Sequence, residues 1–131
     1  MKNSIMINEQ SPSFSIRARL RSFSYAWKGL ITFFSMQHNA IIHLVATLLT
    51  FAASVFFNVS KVEAVALVLA AGLVWTSELF NTAIEKLADE ISKEFHPSVK
   101  FIKDVSAAAV LLSAVAAFIT GSIIFLPKLL M

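Results

Sequence analysis

The chain has 131 residues, which is enough for one small domain, and its composition excludes a soluble one. Apolar residues make up 57% of it and charged residues 15%, whereas soluble domains contain about 45–50% apolar and about 25% charged residues. No cysteine is present, so disulfides, thiolate metal sites and cysteine nucleophiles are excluded, and the net charge of +3 matters through its distribution along the chain.

The N-terminal part predicts a polar tail followed by an amphipathic helix. Residues 1–13 have no periodicity and no signal-peptide pattern, so we expect a flexible tail there. Residues 14–34 predict a helix that lies on the membrane surface, and a soluble core helix is the alternative. Apolar side chains recur there at helical spacing with basic side chains beside them: Phe14, Leu20, Phe23, Trp27 and Leu30 with Arg17, Arg19, Arg21 and Lys28.

Three apolar segments predict transmembrane helices, at about residues 38–57, 62–91 and 101–126. The first contains eighteen uncharged residues, the second follows the polar turn "NVSKVE", and the third contains 22 uncharged residues. A span needs about 20 apolar residues. We expect "SKEFHPSVKFIKD" to form a polar loop and Pro127 to stop the third span. Residues 14–131 then make up one membrane domain.

The basic residues predict the orientation of these spans, because cytoplasmic loops carry an excess of Lys and Arg. The first span follows a basic segment, whereas the loop after it has only Lys61 and the C-terminus only Lys128. The connection between the second and third spans is again basic. We therefore expect the N-terminus and residues 86–104 on the cytoplasmic side and the C-terminus outside.

Four polar side chains share one face at the end of the second span. Asn81, Glu85 and Asp89 follow Glu78 by 3, 7 and 11 residues. At about 100° per residue, all four point within a sector of about 80°. A carboxylate inside a membrane is costly and usually marks a functional site, so we expect Glu78 to be the deepest and most buried of the four.

This polar stripe (Glu78, Asn81, Glu85 and Asp89) has the chemistry of a phosphoryl-transfer site. A buried Glu78 suits a general base, and the oxygens of Asn81 and Glu85 suit Mg²⁺. The next span opens with a cation and an acid for the phosphates, Lys103 and Asp104. The alternative is a solvated helix end, with Glu85 and Asp89 paired to Lys86 or Lys93.

The motif around the stripe resembles a known signature. The stretches "ELFNTAIEKLAD", "EFHP" and "KDVSAAAVLL" are similar to those of the prokaryotic diacylglycerol kinase family, which includes undecaprenol kinases. The likeness extends back through "HNAIIHL" and "YAWKGL" to about Arg17. It implies an all-α integral membrane enzyme with an amphipathic N-terminal helix and three spans. It also implies a homotrimeric bundle that transfers the γ-phosphoryl group of MgATP to a lipid alcohol.

The same resemblance implies roles for individual residues. Glu78 would be the catalytic base and Glu85 a ligand of Mg²⁺, with Asn81 in support. Gln37 stands where the family usually has a second metal-binding glutamate, and Asp89 is a neighbour that could compensate. The implied nucleotide-binding residues are Tyr25, Glu85, Glu94, His96, Lys103 and Asp104, with either Arg17 or Arg19.

We therefore interpret the chain as a lipid kinase of the cytoplasmic (inner) membrane that phosphorylates diacylglycerol to phosphatidic acid. The alternative acceptor is undecaprenol, giving undecaprenyl phosphate, and no residue separates the two. The expected partners are the lipid, ATP and other copies of the chain, with no nucleic acid. From other classes, a small cation-coupled transporter and a non-catalytic membrane subunit remain open.

Overall fold

A computed structural model describes residues 15–92 and 94–130, apart from the side chains of Met36 and His38. The predicted tail at residues 1–13 and Lys93 lie outside the described residues. Within them the chain is entirely α-helical, as expected, with no strand. The helices are α1 (Ile16–Met36), α2 (His38–Phe56), α3 (Lys61–Ile91) and α4 (Pro97–Leu129).

The chain divides into two compact units, one ending at Thr32 and the other beginning at Phe33. The described part of the first unit consists of the first turns of α1, and all its residues are exposed. The second unit holds three helices whose length and apolar composition suit membrane spans, at Asn39–Phe56, Lys61–Ile91 and Pro97–Leu129. The three predicted spans correspond to these three candidate membrane helices.

The core of the second unit is the seam between α3 and α4. The buried residues Leu67, Val74, Asn81 and Ala88 recur every seven residues along α3, and Glu78 lies beside them. A seven-residue repeat is typical of helices that pack at a small crossing angle. On α4 the buried positions are Ser106, Ser113 and Ile124. Along α3, the seam is therefore apolar at Leu67 and Val74 and polar at Glu78 and Asn81.

Two ion pairs join α3 and α4 at opposite ends. Glu63, in the first turn of α3, lies 3.2 Å from the ammonium of Lys128 in the last turn of α4. Asp89, near the end of α3, lies 2.8 Å from the ammonium of Lys103 near the start of α4. The two helices are therefore antiparallel along their whole length.

Side-chain caps set where α3 and α4 begin. The Ser60 hydroxyl accepts a hydrogen bond from the amide of Glu63 at 3.3 Å, and the Glu63 carboxylate accepts one from the amide of Ser60 at 2.6 Å. Asn58, in the turn before, has a φ of 47°, which asparagine tolerates better than most residues. For α4, the imidazole of His96 accepts from the amide of Ser98.

Two prolines act differently from the expectation. Pro97 begins α4 instead of marking a loop, because the first helical position needs no amide hydrogen. The predicted polar loop therefore shrinks to a few residues, and Lys103 and Asp104 lie on the second turn of a helix. Pro127 does not stop α4, which continues to Leu129. So close to the helix end, only a short segment has to accommodate the missing hydrogen bond.

Candidate active site

Glu78 is the most deeply buried large side chain among the described residues. Its exposure is 2%, and it lies on the face of α3 that packs against α4. The carboxylate therefore lies inside the seam between the two helices, shielded from bulk water.

The polar stripe runs from this buried position toward the exposed end of α3. Asn81 is 7% exposed, Glu85 is half-buried and Asp89 is exposed. The expectation that Glu78 is the most buried of the four is confirmed. Eleven residues of helix separate Glu78 from Asp89, or about 16 Å along the axis. One face of α3 therefore leads from a buried carboxylate to a solvent-exposed one.

A hydrogen-bonded chain crosses from α4 to the middle of the stripe. The hydroxyl of Ser106 donates to Oδ1 of Asn81 at 2.7 Å, and Nδ2 of Asn81 donates to Oε1 of Glu85 at 3.3 Å. The amide group of Asn81 thus turns its nitrogen, not its oxygen, toward Glu85. This arrangement fits a supporting role for Asn81 better than a role as a metal ligand.

Sequence reasoning missed Ser106. It is buried at 7% exposure, and its hydroxyl also lies 2.9 Å from the carbonyl oxygen of Lys103. The available signal was a hydroxyl one turn after Lys103 and seven residues before Ser113, inside an apolar span. That spacing matches the seam, but its partner on α3 appears only when the two helices are packed.

The structure brings Lys103 to the stripe. Its ammonium donates to Oδ1 of Asp89 at 2.8 Å, and Glu85 lies near enough to interact with it electrostatically. Lys86, the partner in one alternative, only interacts electrostatically with Asp89 and forms no ion pair with it, and Lys93 lies outside the described residues. Asp89 instead makes its ion pair across the helix interface.

Asp104 points away from this group. It pairs with Lys100, four residues earlier on the same exposed face of α4. Neighbouring residues on a helix differ in direction by about 100°, which accounts for the separation from Lys103. The proposed contact of Asp104 with a nucleotide therefore stays a prediction.

The remaining predicted site residues lie in exposed or connecting positions. Glu94 and His96 are exposed in the short connection before α4, where the Ser92 hydroxyl donates to the Glu94 carbonyl at 2.9 Å. Gln37 is half-buried at the break between α1 and α2, and its side chain makes no capping bond. Three further residues, all exposed, belong to the first unit, and their proposed roles stay predictions: Arg17, Arg19 and Tyr25.

The donor set fits a Mg²⁺ ion that arrives with a nucleotide. The described residues contain no group of three or more His, Cys, Asp or Glu side chains that would hold a metal alone. Mg²⁺ is usually bound by one or two carboxylates, water and substrate phosphates. Glu85 offers one such carboxylate, already oriented by Asn81.

A mainly apolar cleft of about 500 Å³ lies between α2, α3 and α4. Its walls include Val74, one helical turn from Glu78. At that end the indole of Trp75 donates to the Thr47 hydroxyl at 3.0 Å, and the His43 ring packs at an angle against it with centroids 6.2 Å apart. The His43 ring is therefore packed against α3.

Comparison with known proteins adds a family match. The sequence profile described as prokaryotic diacylglycerol kinase matches residues 24–125. A diacylglycerol kinase of Synechocystis sp. is 38% identical over 112 residues, which cover 85% of this chain and 64% of that protein, slightly less than two thirds of its length. An undecaprenol kinase of Bacillus subtilis is 35% identical over 109 residues, covering 83% and 89%. A diacylglycerol kinase of Escherichia coli is 31% identical over 105 residues, covering 80% and 86%.

Proposed function

Because the chain belongs to the prokaryotic diacylglycerol kinase family and is a multi-pass membrane lipid kinase of it, we propose that it transfers the γ-phosphoryl group of MgATP to diacylglycerol. The product is phosphatidic acid. Undecaprenol is the second candidate acceptor, since one relative is named for it. The observation that carries the proposal is the buried Glu78 at the inner end of a polar stripe.

Glu78 acts as the base for the lipid hydroxyl. Fifteen residues separate it from Glu63, which marks the polar end of α3 with Lys128. That distance is about 22 Å of helix, whereas the hydrocarbon core is about 30 Å thick. Glu78 then lies in the last third of the hydrocarbon core, toward the opposite interface where the lipid headgroup hydroxyls are. A carboxylate there can accept or orient the proton of that hydroxyl as phosphorus is attacked.

The outer part of the stripe holds the phosphates. Glu85 would hold the Mg²⁺ carried by ATP, which neutralises charge on the transferred phosphoryl group, and Gln37 would offer a further carbonyl oxygen. Lys103 binds the phosphates as a cation. Its ion pair with Asp89 is exposed, and exposed pairs contribute little to stability, so a phosphate can replace Asp89 at small cost.

The nucleotide itself is bound by residues in the exposed segments: Tyr25, Glu94, His96, Asp104 and either Arg17 or Arg19. We place the N-terminus and the connection between α3 and α4 in the cytoplasm, where ATP is present, and the C-terminus outside. The basic residues of these segments support that orientation. The functional assembly is a homotrimer.

The decisive experiment offers two lipids to one preparation. Purified protein in lipid micelles receives MgATP with either diacylglycerol or undecaprenol, and radiolabelled lipid phosphate is measured. We expect rapid formation of phosphatidic acid. Faster phosphorylation of undecaprenol would instead assign the second acceptor, and no transfer to either lipid would refute both. The transporter and non-catalytic interpretations gain nothing from the relatives above, which are all named kinases.

A further inference from the structure

The Ser106 hydroxyl is the buried contact between α4 and the residues proposed to hold the metal. Ser106 and Asn81 are each 7% exposed, and 2.7 Å separates the hydroxyl from Oδ1 of Asn81. We infer that Ser106 is a positioning residue: through Asn81, it fixes the Glu85 carboxylate in the orientation that receives a nucleotide-bound divalent cation. This inference rests on the proposed function.

The direction of the hydrogen bonds supports this role. A serine hydroxyl has one proton to donate, and a side-chain amide presents an oxygen on one side and a nitrogen on the other. When Ser106 donates to Oδ1, the nitrogen of Asn81 faces Glu85 and donates to Oε1. If Ser106 donated only to the Lys103 carbonyl, the amide could turn over and present its oxygen to the carboxylate. That arrangement would be repulsive, so the hydroxyl and the carboxylate together select one amide orientation.

One oxygen of Glu85 is thereby held while the rest of the carboxylate keeps its capacity for a cation. An ionised carboxylate accepts at about four lone-pair positions, and Asn81 occupies one of them on Oε1. Partners that orient a ligating carboxylate are worth about 10–100-fold in metal affinity or activity.

The same hydroxyl also connects the metal ligand with the phosphate-binding cation. It lies 2.9 Å from the carbonyl oxygen of Lys103, one helical turn earlier on α4. The ammonium of that lysine pairs with Asp89 on α3. Ser106 therefore holds the face of α3 that bears Glu85 in register with the turn of α4 that bears Lys103. Both groups must meet one nucleotide.

A second buried serine provides a matched control. Ser113 lies two turns later on α4 and is 5% exposed. Among the described residues, its hydroxyl donates to the carbonyl of Val110 on its own helix and to no group on α3. Ser106→Ala and Ser113→Ala remove the same atom from the same seam. Ser106→Cys keeps the volume of the side chain but donates only weakly, so it covers the case in which the alanine variant does not fold.

Two measurements test the inference. One is the Mg²⁺ concentration that gives half-maximal lipid phosphorylation at saturating ATP. The other is the affinity of the resting protein for Mn²⁺ complexed with a non-hydrolysable ATP analogue, an ion that favours the same oxygen ligands. We expect both to weaken about tenfold in Ser106→Ala and Ser106→Cys and to change less than about twofold in Ser113→Ala.

A double-mutant cycle with Asn81→Ala tests whether Ser106 acts on Glu85 through Asn81. If Ser106 acts through Asn81, adding Ser106→Ala to Asn81→Ala produces no further weakening. Independent effects of the two changes would overturn the inference. A cation dependence that shifts in Glu85→Gln but not in either Ser106 variant would overturn it as well, while leaving the kinase proposal intact. Wild-type protein that does not bind the Mn²⁺ complex would refute the metal site and this role together.

Discussion

At the scale of single residues, Glu78 sets activity against stability. Its carboxylate lies in a packed seam at 2% exposure, and burial of a charged group disfavours folding. Glutamine has nearly the same shape and no charge. Under the proposed function, the site would retain this acid because catalysis needs it, despite its cost in stability.

We therefore predict that Glu78→Gln lowers lipid phosphorylation about 100-fold or more, because general-base catalysis contributes about 10²–10⁴-fold. The melting temperature in detergent should stay equal or rise. Glu90→Gln is the matched control, since Glu90 is an exposed acid on the same helix outside the stripe. Turnover of the purified Glu78 variant close to that of wild type would show that Glu78 is not the base.

We predict that substitutions at Glu85 and at Gln37 change the Mg²⁺ requirement in opposite directions. Glu85→Gln removes the charge of the proposed ligand, so the Mg²⁺ concentration for half-maximal activity should rise, with little effect on the affinity for lipid. Gln37→Glu adds a charge where the resemblance implies a metal-binding glutamate, so activity at low Mg²⁺ should be equal or higher. Mg²⁺ titrations at fixed ATP measure both effects. Identical titrations in wild type and both variants would remove this metal site.

The stripe was predictable because its members are local. The spacing of Glu78, Asn81 and Glu85 fixes their common face, whatever packs against it. Ser106 and the Asp89–Lys103 pair were not predictable, since each depends on which face of α4 meets α3. The helical period predicts which side chains share a face of one helix. Which residues they contact on another helix depends on tertiary packing.

At the scale of elements, the helices follow from apolar length, whereas their ends follow from caps. The first and third spans were evident from uncharged segments of sufficient length, and the second from a shorter apolar run that continues into the polar stripe. Pro97 and Pro127 were misread because proline is a helix breaker only in a helix interior. At the first helical position proline favours the start of a helix, and in the last turn it removes only one backbone hydrogen bond.

The start of α3 gives a prediction that separates two roles of Glu63. Its carboxylate completes the capping box with Ser60 and also pairs with Lys128. Glutamine can keep the capping box but not the ion pair. Glu63→Ala should therefore lower the melting temperature more than Glu63→Gln, and lipid phosphorylation should change little, because Glu78 is about 22 Å away along α3. Equal destabilisation by both variants would assign the effect to the ion pair.

The bond between Trp75 and Thr47 ties α2 to α3 at the level of the site. Trp75→Phe keeps an aromatic ring beside Phe33 and Phe34 but loses the donor, and we expect a loss of about 1 kcal/mol in the free energy of unfolding. Thr47→Val should cost a similar amount. Unfolding in mixed micelles measures each change, and the double variant should be little worse than either single one. Fully additive losses would argue against the bond.

At the scale of the whole molecule, one chain presents a stripe that is open on the side not covered by α4. Glu85 is half-buried and Asp89 and Lys103 are partly or fully open to solvent, so a nucleotide on them would stay exposed on one side. Small side chains along α4 allow close helix contact, and association in lipid depends on such packing. These features support the proposed trimer, in which another chain's surface helix closes over the site.

Subunit mixing tests that arrangement. Glu78→Gln and a variant altered at Lys103 and Asp104 should not complement each other, because α3 and α4 pack together within one chain. Glu78→Gln mixed with changes at Arg17 and Arg19 should regain part of the wild-type activity, since some trimers would then combine one intact surface helix with one intact base. The measurement is lipid phosphorylation after exchange, with trimers and exchange confirmed by crosslinking between differently tagged chains. Recovery in the first mixture would place the base and the phosphate-binding residues in different chains. No recovery in the second, with exchange confirmed, would mean that each chain closes its own site.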